Sequence, residues 1–104
     1  MIRIIRFLRV LPRDILSDVV SKQLVRSSTS IIANYVEAKS ASSRKDYINF
    51  FTYALKSANE SKVWLALIRD TCKNDQKNVR YLLDELDEIS KILAASIITL
   101  KSKK

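Results

Sequence analysis

Apolar residues recur along the chain with the 3.6-residue period of an α-helix, in four separate segments. In the first, residues 2–11, apolar side chains share one face and arginines share the other. Pro12 predicts the end of this segment, because proline cannot continue the helical hydrogen bonds. The second segment runs from Asp14 to Lys39, and its apolar residues span a broad sector: Val20, Leu24, Val25, Ile31, Ile32, Tyr35 and Val36.

Two further segments follow a serine-rich loop at residues 40–43. Ser43, with Asp46 three residues later, forms a pattern like a capping box, which predicts a helix from Arg44 to Lys73. The fourth segment starts by Asn78 and reaches Leu100, and its apolar residues alternate at spacings of three and four. That spacing is typical of a helix in a bundle with shallow crossing angles. The pattern predicts one all-α domain over residues 1–104.

The composition strengthens the helical prediction and argues against an enzyme. The 104 residues include no glycine, which disfavours a fold with many tight strand turns. There is no histidine, and no nucleotide-binding or metal-binding spacing occurs, so we expect no catalytic residues, no metal and no cofactor. The lone Cys72 cannot form a disulfide within the chain, which favours a cytoplasmic protein.

The net charge of +8 favours a polyanionic partner such as RNA or DNA. The best candidate surface is the arginine face of the first segment, Arg3, Arg6, Arg9 and Arg13. Two alternatives remain open for it: the solvated side of an ordinary amphipathic helix, and a basic helix that lies on a membrane surface. The segment is too short to span a bilayer, and its arginines interrupt the apolar run that a signal peptide needs.

A polar stripe crosses the second segment at steps of three or four residues: Gln23, Arg26, Ser30, Asn34 and Glu37. Serine and asparagine disfavour the middle of a helix, so their presence there needs a reason. The periodicity favours neither of two interpretations over the other. The stripe is either an ordinary exposed face or a satisfied polar network between helices or subunits.

The third segment carries apolar residues on a second side, including Tyr53, Trp64 and Leu67. Exposed aromatic rings can stack on bases, but their helical spacing favours packing. An extra apolar patch usually marks an interface, so we predict a homo-oligomer with these three residues in its contact.

Three stretches of the chain carry motifs in a definite order: residues 23–38 read QLVRSSTSIIANYVEA, residues 43–60 read SRKDYINFFTYALKSANE, and residues 86–93 read LDEISKIL. The first is similar to the signature Q-L-x-R-S-x-x-S-I-x-A-N-I-A-E-G of the rRNA intervening-sequence protein family, the small bacterial "four helix bundle proteins". The other two resemble that family's later motifs in the same order. The chain departs from the pattern in having Glu37–Ala38 in place of Glu-Gly, and in a much shorter first helix.

The resemblance implies an antiparallel up-down-up-down four-helix bundle, here with a short first helix. It also implies homopentameric rings like those of the accessory proteins of diversity-generating retroelements, which bind a reverse transcriptase and nucleic acid. The expected function is that of a non-catalytic, basic, self-associating protein that binds nucleic acid or assists a protein that does. A protein-interaction scaffold with incidental positive charge, and a peripheral membrane protein that binds through the first helix, remain as alternatives.

Overall fold

The computed structural model describes residues 2–9, 15–71 and 76–102. This part of the chain is all-α, with no strand, and contains four helices: α1 (Ile2–Arg9), α2 (Ile15–Lys39), α3 (Arg44–Thr71) and α4 (Gln76–Ser102). The predicted all-α class is therefore confirmed, and each helix end lies within two residues of its predicted position. Pro12, Arg13 and Cys72 lie outside the described residues.

The three long helices run antiparallel to their neighbours. Ser27 of α2 hydrogen-bonds Ser61 of α3, and Ser30 hydrogen-bonds Ser57, so the numbers rise on one helix as they fall on the other. The pairing of α3 with α4 follows the same rule, since Asn59 accepts from Ser90 and Lys62 pairs with Asp87. With α1 beside the start of α2, the helices form an up-down-up-down bundle with a short first helix.

The core is a continuous aliphatic and aromatic cluster along the bundle axis. Its buried apolar residues come from all four helices: Ile4, Phe7, Val20, Leu24, Ile31, Ala38, Phe51, Ala54, Ala58, Leu65, Ile68, Val79, Leu82, Leu86, Leu93 and Ile97. The broad apolar sector predicted for α2 is only partly buried, because Val25, Ile32, Tyr35 and Val36 are exposed.

The loop between α2 and α3 closes without glycine. The amides of Ser40 and Ala41 donate to the carbonyls of Glu37 and Ala38, each at 3.1 Å, which tightens the last turn of α2. Ser43 then caps α3, since its Oγ accepts the amide of Asp46 at 3.1 Å. Ala38, where the family signature has glycine, is fully buried, so only a small side chain fits there.

Candidate functional site

A row of polar side chains follows the outer edge of the seam between α2 and α3. Gln23 Oε1 accepts a hydrogen bond from Arg26 Nε at 2.9 Å, and the Arg26 guanidinium forms an ion pair with Glu60. The same Glu60 oxygen accepts the indole N–H of Trp64 at 3.4 Å. Both helices thus contribute to one chain of contacts, in which Glu60 joins the polar stripe of α2 to an aromatic residue of α3.

The row continues toward the end of α2 through hydroxyl and amide groups. Ser57 Oγ donates to Ser30 Oγ at 2.9 Å. Asn34 Nδ2 donates to the carbonyl and the hydroxyl of Ser30, at 2.9 and 3.1 Å. Four of the five predicted stripe residues therefore lie in this row. Glu37 is exposed and contributes no side-chain hydrogen bond to it.

A second layer of serines lies beneath the row and is buried. The hydroxyls of Ser27 and Ser61 hydrogen-bond each other at 2.7 Å, and the carbonyl oxygens of Leu24 and Ser57 lie within hydrogen-bond distance of Ser27 and Ser61, respectively. Because each hydroxyl has one proton, one serine donates to the other, which in turn donates to the carbonyl of its own helix. These small, satisfied side chains let the two helices approach closely. Sequence reasoning missed Ser27 and Ser61. The signal available for Ser61 was its helical spacing from Ser57 along the apolar side of α3.

The polar row borders a shallow pocket of about 530 Å³, lined by Ser30, Asn34, Tyr53, Lys56, Ser57 and Glu60. Its groups can donate and accept hydrogen bonds, but its one carboxylate, Glu60, already bonds Arg26 and Trp64. Among the described residues, no cluster of acidic or cysteine side chains is arranged to hold a metal ion. The pocket is thus suited to polar recognition.

The three predicted interface residues lie on one outer face of α3, next to the polar row. Tyr53 is 52% exposed and Leu67 is 36% exposed, whereas Trp64 is half-buried with its indole N–H on Glu60. Tyr53 also meets Phe50 edge to face, with ring centroids 6.3 Å apart. Their spacing along the sequence, with Glu60 between them, places these side chains in one stripe.

The first helix is amphipathic, and its apolar face is part of the core. Ile4 and Phe7 are each 4% exposed, whereas Arg3 and Arg6 are exposed. The Arg3 guanidinium lies 3.9 Å from the centroid of the Tyr81 ring on α4. A hydrogen bond to Glu85 raises the pKa of Tyr81, and the nearby charge of Arg3 opposes that rise. Arg13 and the side chain of Arg9 lie outside the described residues.

In the described part of the chain, no helix has both the length and the apolar character needed to cross a membrane.

Comparison with known proteins agrees with the bundle and its motifs. No curated protein matches the chain. A crystal structure of a protein of unknown function from the S23 ribosomal protein family of Bacteroides thetaiotaomicron is 38% identical, with a TM-score of 0.83. The match covers 92% of this chain and 89% of that one. The family model for the 23S rRNA-intervening sequence protein matches residues 1–95. The chain therefore belongs to the 23S rRNA-intervening sequence protein family.

Proposed function

We propose that this protein is a non-catalytic, self-associating bundle of the cytoplasm that binds nucleic acid electrostatically through the arginine face of α1. The orientation of α1 carries the proposal: Ile4 and Phe7 are buried in the core, which turns Arg3 and Arg6 outward. Guanidinium groups on an exposed face contact phosphates readily. The absence of histidine from the sequence supports a binding role over a catalytic one.

The same orientation argues against membrane binding through α1. A peripheral amphipathic helix binds a bilayer by inserting its apolar face among the lipid chains. In this protein that face already packs in the core, so insertion would require α1 to leave the bundle. The arginine face alone provides only the electrostatic part of membrane affinity, which nucleic acid provides as well.

The test is the salt dependence of RNA and DNA binding, with all four predicted arginines, Arg3, Arg6, Arg9 and Arg13, replaced by glutamine. Because phosphate contacts release counterions, we expect the slope of log K against log salt to flatten by about 0.7 for each arginine that contacts single-stranded RNA. The loss should be similar across unrelated sequences, since phosphate contacts carry no sequence information directly.

The control for net charge compares two double variants that each remove two positive charges. One is Arg3→Gln/Arg6→Gln, on α1, and the other is Lys45→Gln/Lys56→Gln. Lys45 and Lys56 are exposed on α3, away from α1. If both double variants weaken binding equally, binding follows net charge rather than the face of α1. If the quadruple variant binds as tightly as the parent, α1 is not the nucleic-acid surface.

Self-association is supported by the outer face of α3, where Tyr53 and Leu67 expose apolar surface beside Trp64. Buried aromatic residues at interfaces often contribute ~2 kcal/mol or more to binding. Rings of five subunits are the assembly that the resemblance to retroelement accessory proteins suggests. In sedimentation across a concentration series, we expect the parent to be a homo-oligomer and Trp64→Ala to dissociate at higher concentrations than the parent. A parent that is monomeric at tens of micromolar contradicts self-association.

A further inference from the structure

Basic side chains also follow the outer edge of the contact between α3 and α4. Lys62 of α3 lies 3.5 Å from Asp87 of α4, and Asn59 of α3 accepts a hydrogen bond from Ser90 of α4 at 3.3 Å. These two contacts fix the antiparallel alignment of the helices. The alignment gathers five basic residues on one side of the bundle, here named the α3–α4 face: Lys62, Arg69, Arg80, Lys91 and Lys101.

The α3–α4 face extends along most of α4. At its first end Arg80 lies level with Arg69, since Gln76, one turn before Arg80, donates a hydrogen bond to the carbonyl of Arg69 at 3.1 Å. Lys91 is about three turns further along α4, and Lys101 is about three turns beyond Lys91. With a rise of 1.5 Å per residue, the face is about 31 Å long from Arg80 to Lys101.

Carboxylates offset only part of the charge on this face. Asp87 lies between two ammonium groups, 3.2 Å from Lys91 and 3.5 Å from Lys62, and Asp70 pairs with Arg69 at 3.1 Å. Among the described residues, the five basic side chains of the face therefore exceed its two carboxylates by three charges. The basic residues on α4 are exposed, so a polyanion can reach them.

An acidic ridge on α4 separates the α3–α4 face from the arginine face of α1. Tyr81 contacts Arg3 of α1, and Asp87 contacts α3, so these two side chains point about 120° apart around α4. Asp84 and Glu88 are exposed and lie between those two directions. A phosphate backbone that crossed from one basic face to the other would pass these carboxylates. Each face is therefore suited to a strand of its own.

We propose that the α3–α4 face binds a second nucleic-acid strand, so that one subunit holds two strands at once. Phosphates of one duplex strand recur every ~3.4 Å, so about nine nucleotides fill the face. Its charges follow a line instead of surrounding an apolar centre, which favours a linear polyanion over an acidic protein surface. The two-strand part rests on the proposed binding through α1, whereas binding by the α3–α4 face does not.

The test counts bound strands per chain at saturation. A fluorescent oligouridylate of about nine nucleotides is titrated into the full-length protein at low salt, with the protein well above the dissociation constant. We expect the parent to bind two oligonucleotides per chain, and the quadruple arginine variant to bind one. Because the ratio is counted per chain, it does not depend on the number of subunits in an oligomer.

Arg80→Glu/Lys91→Glu tests the α3–α4 face directly, because two charge reversals turn its excess of three positive charges into one negative charge. The matched control is Lys22→Glu/Lys56→Glu, which changes the net charge equally at exposed lysines on the outer sides of α2 and α3. We expect the first variant to bind one strand per chain and the control to bind two. Circular dichroism checks that both variants stay folded.

The possible failures differ from those of binding through α1. One strand per parent chain, lost in the quadruple arginine variant, overturns the second site and leaves α1 as the nucleic-acid surface. One strand per parent chain, lost in Arg80→Glu/Lys91→Glu, overturns both the two-strand proposal and the role of α1. The absence of any binding also overturns both.

Two further outcomes overturn the second site alone. Equal losses in Arg80→Glu/Lys91→Glu and in Lys22→Glu/Lys56→Glu would mean that the second strand responds to net charge. An oligoglutamate of about nine residues that displaces the strand left in the quadruple arginine variant as well as unlabelled oligouridylate does would make an acidic protein segment the occupant.

Discussion

Helix α3 packs against its two neighbours by different chemistry. Toward α2 it presents hydroxyls, since Ser57 and Ser61 hydrogen-bond Ser30 and Ser27 across the seam. Toward α4 the buried residues are mainly large and aliphatic, and α4 contributes Val79, Leu82, Leu86, Leu93 and Ile97 to the core. Ser90, hydrogen-bonded to Asn59, is the buried polar residue of α4.

The contrast distinguishes the contacts that stabilise the fold from those that fix how one helix is aligned along another. Burial of aliphatic side chains stabilises the fold by about 25 cal/mol per Å², but it is not directional and tolerates small shifts of one helix along another. A buried hydroxyl pair contributes only about 1 kcal/mol net, yet it is satisfied only where the two side chains meet. We infer that the buried aliphatic side chains of the core provide more of the stability, while the serine pairs align α2 with α3.

The largest expected effect is on the aliphatic side. Leu86→Ala removes a side chain that is almost fully buried in α4, so it should lower the free energy of unfolding by about 2–5 kcal/mol. Chemical denaturation followed by circular dichroism measures the change. Ile98→Ala is the control, since Ile98 lies on the same helix but is exposed. Equal losses of stability for the two variants would contradict the claim that buried aliphatic side chains provide most of the stability.

A larger side chain at the buried serine pair between α2 and α3 should also destabilise the protein, by overpacking rather than by leaving a cavity. Ser61 is fully buried against Ser27, so Ser61→Leu adds volume where the two helices approach closely. We expect a loss of about 1–3 kcal/mol from overpacking, together with weaker contacts of Arg26 with Glu60 on the surface above. A Ser61→Leu variant that is as stable as the parent would show that the contact between α2 and α3 accommodates a larger side chain.

The helices were predictable from the sequence, because a period of 3.6 depends only on local order. Contacts between helices were not, because they depend on alignment between residues that are distant in sequence. Ser27 and Ser61 are 34 positions apart and become a buried pair only through the antiparallel alignment of α2 with α3. The same alignment explains why Glu37 is outside the polar row: the residue opposite it is Phe50, whose ring offers no hydrogen-bond donor.

The candidate site was predictable in outline for the same reason. The spacing of Gln23, Arg26, Ser30 and Asn34 indicated a shared face of α2, but no pattern along the chain indicated that Glu60 of α3 would join that face to Trp64. The amphipathic pattern of α1 also indicated which residues share a face. It did not indicate that Arg3 would lie on the ring of Tyr81, since that contact is between α1 and α4, which are far apart in the sequence.

A double-mutant cycle on the serine pair sharpens the comparison at a smaller scale. Ser27→Ala or Ser61→Ala alone leaves one buried hydroxyl without its partner across the seam, so each should cost about 1 kcal/mol. The double variant should lose less than the sum of the two, because no hydroxyl is then left facing an apolar group. Additive losses, measured by chemical denaturation, would mean that the two hydroxyls do not act as a pair.

The smallest expected effect concerns the ion pair between Lys62 of α3 and Asp87 of α4. Asp87 lies 3.2 Å from Lys91 on its own helix and 3.5 Å from Lys62 on α3. The hydrogen bond and charge of Lys91, followed by those of Lys62, lower the pKa of the Asp87 carboxyl. Because the folded-state pKa lies below the unfolded one, the stabilising contribution is present above the unfolded value and is lost as pH falls through the folded value.

We therefore expect Asp87→Asn to lower the Tm slightly at about pH 7 and to lower it less at about pH 2.5. The difference at neutral pH should shrink with added salt, since the pair is exposed. Glu88→Gln is the charge-matched control, because it removes the adjacent carboxylate without touching this ion pair. Ser61→Ala provides the contrast within the comparison: a lost hydroxyl contact between uncharged groups should lower the Tm by a similar amount at both pH values. A pH-independent loss in Asp87→Asn would mean that Asp87 stabilises the α3–α4 contact by packing rather than by its charge.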